Sequence, residues 1–487
     1  MEQAGYQVWV ADSSAKVFRD TRPRRLPRTG ARIHAARNEH RALQIVVRAN
    51  ASALRNVRVS AAPLKGPGGR ALHNVRLYRV AYLHLPKYHR DYPDPLPPYA
   101  PSDVAANQNQ PVWLDVAVPE DAPAGLYRGE VAVQPEGMQA VTVPLTLRVY
   151  DFAVPTKPTM RTAFGLSEGY VFQQHGVQAG AAEAAALHQK YYWFLVDHRL
   201  SPYTIPADVM SGEAPRYLDD PRVTGFIVPY THDETELKKR YDHVRSHGWM
   251  PKAYSYVVDE PVDEAPYARL QEVAERIHRL APDMKLVAPY FRDPSFEGQG
   301  DVYDLLSGIV DIWCPNTGFF NAEKLAARRQ LGEDIWWYVC CGPGEPYANF
   351  FVDMPGASHR ALFWQQYLMR VQGLLYWSTT YWDSGSTPDP WQDIATVKWI
   401  GPHLYGDGSL LYPGKQVGID GPVSSIRLEL IREGAQDYEY LRLLEAKSGR
   451  EAAVEAIGAA VQNLTHFTRS STRLEAARSR IARAIAQ

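Results

Sequence analysis

Short alternations of apolar and polar residues fill the first 155 residues, and turn formers such as KGPGG and PEDAPAG separate several of them. Alternation of this kind predicts β-strands with one buried face. Short strands at this spacing predict an antiparallel β-sandwich over residues 1–155. The predicted strands are YQVWVAD (6–12), ALQIVVRA (42–49), VRVSAAP (57–63), VRLYRVAYLHL (75–85), VWLDVAV (112–118), YRGEVAVQP (127–135) and VTVPLTLRVYDF (141–152).

A proline-rich stretch, LPKYHRDYPDPLPPYAPSDVAANQNQP at residues 85–111, interrupts these strands. It is too long for a hairpin connection. Loops of this length are either ordered and functional or disordered, and the sequence leaves both alternatives open.

The pattern changes at VPTKPTMRT, where Pro155 and Pro158 break the last alternating strand. Short apolar strands then alternate with segments of helical periodicity, which predicts a (β/α)8 TIM-like barrel over residues 156–404. A doubly wound open sheet is the alternative, but no glycine-rich phosphate turn follows the first strand. The predicted strands are MRTAFGL (160–166), SPYTIP (201–206), VTGFIVPY (223–230), MPKAYSYVV (250–258), MKLVAPYF (284–291), GIVDIWC (308–314), DIWWYVC (334–340) and GLLYWST (373–379). The predicted helices are residues 181–198, 234–247, 265–280, 321–331, 356–371 and DPWQDIATVKWI (389–400).

The chain after about residue 405 combines a β-like stretch, SSIRLELIR, with segments of helical spacing and no catalytic pattern. We interpret residues 405–487 as a mostly helical appendage that packs on the barrel. The motif IREGAQDYEYL is interpreted as structural, since it would fix the tail helix to the barrel.

Composition and charge narrow the partners of the chain. It has 487 residues, of which 45% are hydrophobic and 22% charged, as in soluble globular proteins. The formal net charge is −1, which gives no electrostatic basis for binding nucleic acid or an anionic membrane. The N-terminus MEQAGYQVWV lacks a charged region followed by an apolar core. We therefore expect no nucleic-acid or membrane partner, and a cytoplasmic location unless an export signal has been removed.

Cysteines and histidines give little support for a disulfide framework or a metal. The three cysteines are Cys314, Cys340 and Cys341, an odd and sparse count. Adjacent Cys340 and Cys341 could form a strained vicinal bridge, but we expect buried free thiols. His243 and His247 have i, i+4 spacing, but HVRSH lacks the glutamate of the HExxH zinc motif. No GxxxxGK, GxSxG or CxxC motif is present, so we expect neither a metal nor a cofactor.

Two adjacent carboxylates, Asp259 and Glu260, end the fourth predicted strand in YSYVVDEPVDE. Active sites of (β/α)8 barrels lie at the C-terminal ends of the strands, so this pair stands at a catalytic position. Pro261 follows and ends strand pairing. The alternative is a helix N-cap, but Asp263 and Glu264 lie nearer the next predicted helix and are better capping candidates.

Two adjacent carboxylates can take two different catalytic roles on the same side of a bound sugar. An ordinary glycosidase holds its two carboxyl groups on opposite sides of the scissile bond, roughly 5–5.5 Å apart for retention and 6.5–9.5 Å for inversion. Sequence neighbours emerge from one wall of a pocket. One can protonate the leaving oxygen while the other orients a nucleophile within the substrate, the oxygen of a 2-acetamido group. Their mutual repulsion also raises one pKa, which keeps a general acid protonated.

Other predicted strand ends supply aromatic and polar side chains. Ten of the twelve tryptophans lie between Trp193 and Trp399. Aromatic rings present apolar faces to sugar C–H groups, and Asn, Arg and Tyr bond hydroxyls. The alternative for each ring is the barrel core; Trp382, beyond the last strand, is the strongest candidate. The candidate substrate-binding residues are Tyr290, Arg292, Trp313, Asn316, Tyr338, Trp377, Tyr381 and Trp382.

The motifs YVVDEP, GLLYWSTTYW and GDGSLLYPG…SSIRLELIREGAQDYEYLRLL resemble the catalytic module of glycoside hydrolase family 123, the DUF4091 group. YPDPLPP and VAVPEDAPAGLYRGEVAV resemble its sandwich domain. The resemblance implies a β-sandwich, a (β/α)8 barrel and a retaining β-N-acetylgalactosaminidase assisted by the substrate acetamido group. Carried over by position, Asp259 would orient that group and Glu260 would be the acid/base.

The leading hypothesis is therefore an exo-acting β-N-acetylhexosaminidase for terminal β-linked N-acetylgalactosamine in an oligosaccharide or glycoconjugate. One alternative is a glycosidase for a sugar without the acetamido group. Glu260 would then be the acid, and Glu168 or Glu345, beyond strands one and seven, the nucleophile. Another alternative is a non-catalytic glycan-binding protein, against which the intact carboxylate pair argues. The sequence does not decide between a monomer and a homo-oligomer.

Overall fold

The computed structural model describes residues 2–3, 5–23, 30–296, 300–383 and 389–487. It is a mixed α/β protein, in which a β-rich N-terminal region precedes a nearly closed parallel barrel and C-terminal helices. This class and this order of regions confirm the prediction from the hydrophobic pattern. The division of the chain at residues 155 and 404 stays a prediction.

The N-terminal region consists of β-strands, most of which form two sheets around one hydrophobic core. They are β1 (Glu2–Gln3), β2 (Tyr6–Asp12), β3 (Ala31–Arg37), β4 (Glu39–Ala49), β5 (Leu54–Ala61), β6 (Leu64–Lys65), β7 (Ala71–Leu72), β8 (Val75–Arg79), β9 (Tyr82–Leu85), β10 (Arg90–Pro93), β11 (Pro95–Leu96), β12 (Ser102–Val104), β13 (Asn109–Val118), β14 (Gly125–Gln134) and β15 (Val141–Ala153). One sheet has the order β1-β2-β4-β13-β8 and the other β12-β5-β14-β15-β3, while β9, β10 and β11 lie outside these two sheets. Alternate apolar residues of both sheets bury themselves in the shared core, as the two-residue period of a strand requires.

Strand β3 departs from the prediction in two ways. It pairs with β15 in parallel, so the fully antiparallel sandwich is wrong at this edge. The strand was also not predicted, because ARIHAAR buries mainly alanines, whose weak hydrophobicity gives little pattern.

The proline-rich stretch 85–111 is ordered, which rules out the disordered alternative. β10 pairs with β9, and Pro95 in β11 pairs with Ser425 near the C-terminal helices. Between them, Asp94 accepts hydrogen bonds from the guanidinium of Arg427 at 2.9–3.1 Å, and both side chains are fully buried. The stretch therefore ties the N-terminal region to the C-terminal part of the chain.

The barrel is built from parallel strands. Within the described residues these are β16 (Arg161–Phe164), β17 (Phe226–Ile227), β18 (Ala253–Tyr256), β19 (Leu286–Tyr290), β20 (Ile312–Pro315), β21 (Asp334–Tyr338) and β22 (Gly373–Tyr376), in the spatial order β16-β22-β21-β20-β19-β18-β17. The two edge strands are bridged by residues 201–203. Tyr203 N donates to Phe164 O at 2.9 Å, and Ile227 N donates to Tyr203 O at 2.8 Å.

The predicted second strand, SPYTIP, is therefore reduced to a single parallel bridge at Pro202. Pro202 and Pro206 lack backbone N–H donors, so a regular ladder cannot extend through this segment. The eight-stranded barrel is thus confirmed only as a nearly closed barrel of seven strands with a bridging segment.

The described helices surround the barrel and form the C-terminal part. They are α1 (Glu168–His175), α2 (Ala182–Asp197), α3 (Pro215–Leu218), α4 (Glu234–Ser246), α5 (Glu264–Leu280), α6 (Val302–Leu305), α7 (Ala322–Gln330), α8 (Gly356–Leu368), α9 (Ile426–Ile457) and α10 (Ser471–Ala486). Two short strands, β23 (Tyr412–Pro413) and β24 (Pro422–Ser425), precede α9. None of these helices is long and apolar enough to cross a bilayer.

Two local predictions in this part of the chain were wrong. Residues 389–400 form turns instead of a helix. Asp389 and Asp393 each accept a hydrogen bond from the backbone N–H two residues later, at 3.0 and 2.9 Å, a local bond that competes with helix formation. The stretch SSIRLELIR is strand only at its two serines, because Ser425 caps α9 by accepting from Leu428 N at 3.1 Å.

Candidate active site

Asp259 and Glu260 lie in the turn that follows β18, at the C-terminal end of the barrel strands. Glu260 has a φ of 44°, in the left-handed region that residues with a Cβ rarely adopt. Such strained backbone is concentrated at functional sites. The helix α5 begins only at Glu264, with Asp263 as its N-cap residue, so neither carboxylate of the pair caps it. The N-cap alternative for the pair is therefore wrong.

The contacts of Asp259 lie on one side of the barrel, at β18 and residues 201–203. The hydroxyl of Tyr256 donates to Asp259 Oδ1 at 2.6 Å. The ring of Tyr203 packs edge-on against Tyr256, with centroids 5.9 Å apart. Burial raises the pKa of Asp259, and the bond from Tyr256 acts in the opposite direction.

Glu260 reaches across the barrel to a different strand. Tyr338, the last residue of β21, donates its hydroxyl to Glu260 Oε1. Burial raises the pKa of Glu260; the Tyr338 hydrogen bond lowers it, and the negative charge of Asp259 raises it further. The net shift is upward, so more of this carboxyl keeps its proton near neutral pH. A protonated carboxyl in this position can act as a general acid.

The three cysteines lie close to this pair as free thiols. Cys314 is buried in β20, and burial, with the charges of Asp259 and Glu260, raises the pKa of its thiol. Cys340 and Cys341 have their sulfur atoms 3.5 Å apart and are partly exposed. The expectation of buried free thiols therefore holds for Cys314 only.

A buried aspartate that the sequence does not single out positions Trp377, one of the predicted substrate-binding residues. Trp377, just after β22, donates its Nε1–H to Asp407 Oδ1 at 3.1 Å. Asp407 lies between Gly406 and Gly408, which have φ values of 82° and 64°. A Cβ on Gly408 would lie 2.2 Å from the Trp377 ring, so the close approach requires glycine. The motif GDGSLLYPG does not by itself indicate a role for Asp407, which becomes visible only in its hydrogen bond with Trp377.

Burial raises the pKa of Asp407 to about 7, which predicts a pH-dependent stability. The unfolded carboxyl has a pKa of about 3.9, so between these values the folded state holds a proton that the unfolded state has lost. The stability that this proton provides is lost as the pH rises toward and through 7. Asparagine has no such proton to lose. We expect Asp407→Asn to gain stability relative to wild type between pH 5 and pH 8, measured by urea unfolding at both pH values.

The exposed Asp420 provides the control for this measurement. Its hydrogen bond with Lys190 lowers its pKa, so it titrates below the pH range of the experiment. Asp420→Asn should therefore follow the wild-type pH dependence. If the free energies of unfolding of Asp407→Asn and of wild type changed with pH in parallel, the raised pKa of Asp407 would be contradicted.

The remaining predicted residues divide between the site, the core and the surface. Asn316 donates from Nδ2 to Gly342 O at 3.1 Å, and its Nδ2 lies 4.0 Å from Cys340 Sγ, so it links the turns after β20 and β21. Tyr381 contacts Trp377, with ring centroids 4.7 Å apart. Arg292 is exposed, with its guanidinium 5.6 Å from the centroid of the Phe291 ring.

Besides the buried Tyr338, three of the predicted aromatic residues lie in the protein interior. Tyr290 and Trp313 are fully buried against each other, and Trp313 donates to Glu333 just before β21, at the opposite end of the strands from the site. Trp382 is 1% exposed and donates its indole N–H to Leu411 O at 2.9 Å. The structure thus places these rings in the core, which was the alternative for any aromatic residue of the barrel.

Among the described residues, no group of three or more His, Cys, Asp or Glu side chains is arranged to hold a metal ion. The rings of His243 and His247 contact each other near the end of α4, with centroids 4.2 Å apart and an interplanar angle of 42°.

A solved structure resembles nearly the whole chain in fold. A family 123 glycoside hydrolase from Clostridium perfringens, described for its hydrolysis of glycolipid glycans, superposes with a TM-score of 0.73 at 13% identity, over 99% of this chain and 97% of that one. At this identity the likeness shows the fold alone. A family 39 glycoside hydrolase from Bacteroides cellulosilyticus has a TM-score of 0.32 at 10% identity, over 75% of this chain and 79% of that one. This score is too low to show a shared fold.

Family models identify the sequence itself. No curated protein sequence matches the chain. The glycoside hydrolase 123 catalytic-domain model matches residues 232–444, which include Asp259, Glu260 and Asp407. The glycoside hydrolase 123 N-terminal-domain model matches residues 87–135. Since the two parts of one family match more than half of the sequence in the expected order, the chain belongs to glycoside hydrolase family 123 and is a glycoside hydrolase.

Proposed function

We propose that this glycoside hydrolase is a retaining, exo-acting β-N-acetylhexosaminidase that removes terminal β-linked N-acetylgalactosamine with the help of the substrate acetamido group. One observation carries the proposal. The neighbouring carboxylates Asp259 and Glu260 are held by tyrosines of different strands, Tyr256 on β18 and Tyr338 on β21. They share one turn but serve two separate positions of a bound sugar.

Glu260 is assigned the role of acid/base. Tyr338 occupies its Oε1, so Oε2 is the oxygen that we assign to the proton. In the first step this proton passes to the glycosidic oxygen as the bond to the anomeric carbon breaks. In the second step the carboxylate takes a proton from the water that opens the intermediate.

Asp259 is assigned to the acetamido group. Tyr256 occupies its Oδ1, so Oδ2 is the oxygen that we assign to the acetamido N–H. This bond would turn the acetamido carbonyl oxygen toward the anomeric carbon, which it attacks to form a cyclic oxazolinium. The negative charge of Asp259 would stabilise the positive charge of that ring.

The alternative, a separate carboxylate nucleophile, needs Glu168 or Glu345 at the anomeric carbon. Glu168 opens α1 and lies 3.4 Å from His188 Nε2. Glu345 is exposed and forms a 2.6 Å ion pair with Arg469. The ion pair of Glu345 with Arg469 favours the substrate-assisted route. The non-catalytic alternative is excluded because the chain is a glycoside hydrolase.

We further propose that the barrel is a variant of the (β/α)8 type, in which residues 201–203 take the place of the second strand. The position of Asp259 and Glu260 after β18 then corresponds to the catalytic end of that fold.

A thiazoline tests the proposal directly. The galacto-configured thiazoline mimics the oxazolinium, and analogues of high-energy species bind at least about 100-fold more tightly than substrates. We expect strong competitive inhibition, together with hydrolysis of an aryl 2-acetamido-2-deoxy-β-galactoside and little hydrolysis of the matching aryl β-galactoside. Initial rates measure both.

The gluco-configured thiazoline is the matched control, and the ratio of the two inhibition constants reports the sugar configuration. An enzyme that hydrolyses the acetamido glycoside but ignores both thiazolines would support a separate carboxylate nucleophile. An enzyme that prefers the plain galactoside would contradict the acetamido role.

A further inference from the structure

Aromatic side chains continue from the catalytic end of the barrel to the protein surface. Trp377 contacts Tyr381, with centroids 4.7 Å apart, and Tyr381 contacts Trp399, with centroids 6.2 Å apart. Trp399 is 70% exposed. We call Trp377, Tyr381 and Trp399 the aromatic row. Its inner end is fixed by the hydrogen bond from Trp377 to buried Asp407.

The exposure of Trp399 differs from that of an ordinary surface side chain. Single exposed apolar residues are common, and Leu331, at the end of α7, is 71% exposed. Trp399, in contrast, extends a series of ring contacts that begins at Trp377, just after β22. Trp399 lies in a turn in which Ile400 N donates to Val397 O at 2.8 Å.

The row lies on the side of the barrel that Glu260 faces. The partner of Glu260, Tyr338, ends β21, and the neighbouring strand β22 leads into Trp377. The charges of Glu260 and Asp407 both act on Cys341: its bond with Cys340 lowers its pKa, while burial and these two charges raise it. Asp259 instead faces Tyr256 and the bridging segment 201–203 on the other side.

Because Glu260 and Asp259 face opposite sides of the barrel, the position of the general acid indicates where the leaving group lies. A general acid must be within hydrogen-bond reach of the oxygen that it protonates. The part of the substrate beyond that oxygen therefore extends on the Glu260 side, toward the aromatic row. A sugar ring at this position can place its apolar C–H face on an indole.

We propose that the aromatic row binds the second sugar of the substrate, the one released with the leaving oxygen. The inference rests on the proposed function, because it takes Glu260 as the acid. It identifies the substrate class as an oligosaccharide or a sugar-linked conjugate, and it makes Trp399 a specificity-determining residue.

The experiment compares four substrates with the same terminal sugar and similar leaving groups. One is methyl 2-acetamido-2-deoxy-β-galactoside, and the others are disaccharides with this sugar β-linked to galactose, glucose or N-acetylglucosamine. We expect Trp399→Ala to lower kcat/KM about tenfold for at least one disaccharide, the size of a single good contact, and to leave the methyl glycoside unchanged. Trp399→Phe should recover most of the loss.

Leu331→Ala removes an equally exposed apolar side chain outside the row and should change neither substrate. Equal effects of Trp399→Ala on the methyl glycoside and on every disaccharide would overturn the inference, and so would no effect on any of them. In both cases the proposed function would remain supported by hydrolysis of the methyl glycoside.

Absence of hydrolysis of every acetamido glycoside would instead contradict the proposed function. Calorimetric titration of wild type and Trp399→Ala with the same disaccharides would then test whether the aromatic row binds a sugar. A dissociation constant about tenfold higher in Trp399→Ala would support a sugar-binding row, and identical titrations would overturn it.

Discussion

Replacement of Glu260 by glutamine is expected to remove nearly all hydrolysis of glycosides with alkyl or sugar leaving groups. Glutamine keeps the size and one acceptor oxygen for Tyr338, but it has no proton to give. General acid catalysis contributes roughly 10²–10⁴-fold, and the loss of kcat/KM should lie in this range. Steady-state rates on the methyl glycoside measure it.

The pH profile separates this role from a structural one. The raised pKa of Glu260 keeps the acid protonated to a higher pH than an ordinary carboxyl, so wild-type activity should fall as the pH rises through that pKa. Glu260→Gln should lack this alkaline limb. A dinitrophenyl leaving group needs no proton, so the variant should retain most activity in the step that releases it.

The matched control is Glu264→Gln, the same substitution on the exposed first residue of α5. It should leave the rates and the pH profile unchanged. Equal losses for Glu260→Gln on dinitrophenyl and methyl glycosides, with unchanged thermal unfolding, would contradict the acid role.

The fold could be predicted where burial follows a simple period. Strand β15 alternates between buried and less buried residues over most of its length, β13 is buried on both faces, and the bounds of both differ from the predicted ones by at most three residues. Prediction failed where a local hydrogen bond or a missing donor outweighed the pattern. Pro202 reduced a predicted strand to one bridge, and Asp389 and Asp393 turned an apolar helical pattern into turns.

The site could be predicted only in part, since a strand end shows where a residue lies but not where it points. Asp259 and Glu260 were found because they follow a strand, and their roles stay a proposal. Trp382 fits the same rule, yet its ring turns into the core. Asp407 lies in the sequence far from the strand ends, and only the folded chain brings it to Trp377.

The second large effect is expected at Asp437, in the buried first half of α9. Asp437 Oδ2 accepts from Arg360 Nε and Nη2 at 3.0 and 2.7 Å and from Trp364 Nε1 at 3.0 Å, all on α8. Its Oδ1 accepts from Arg478 Nε on α10 at 2.9 Å. The carboxylate and both guanidinium groups have at most 1% side-chain exposure. One aspartate therefore joins three helices.

Asp437→Asn should destabilise the protein strongly, because it leaves two buried guanidinium groups without this negative charge. Breaking a buried ion pair costs about 3–5 kcal/mol. We expect about 3 kcal/mol, the lower end of that range, since Glu433 and Glu475 also pair with Arg360. The free energy of unfolding in urea and the thermal midpoint measure the loss.

Asp420→Asn is the control, since Asp420 pairs with Lys190 on the exposed surface and its loss should cost less than about 1 kcal/mol. The structural interpretation of IREGAQDYEYL further requires that folded Asp437→Asn keep the wild-type kcat/KM. A stability change as small as that of Asp420→Asn would mean that apolar packing alone holds α9 against α8 and α10. A normal stability with a large loss of kcat/KM would instead assign this motif to the chemistry of the site.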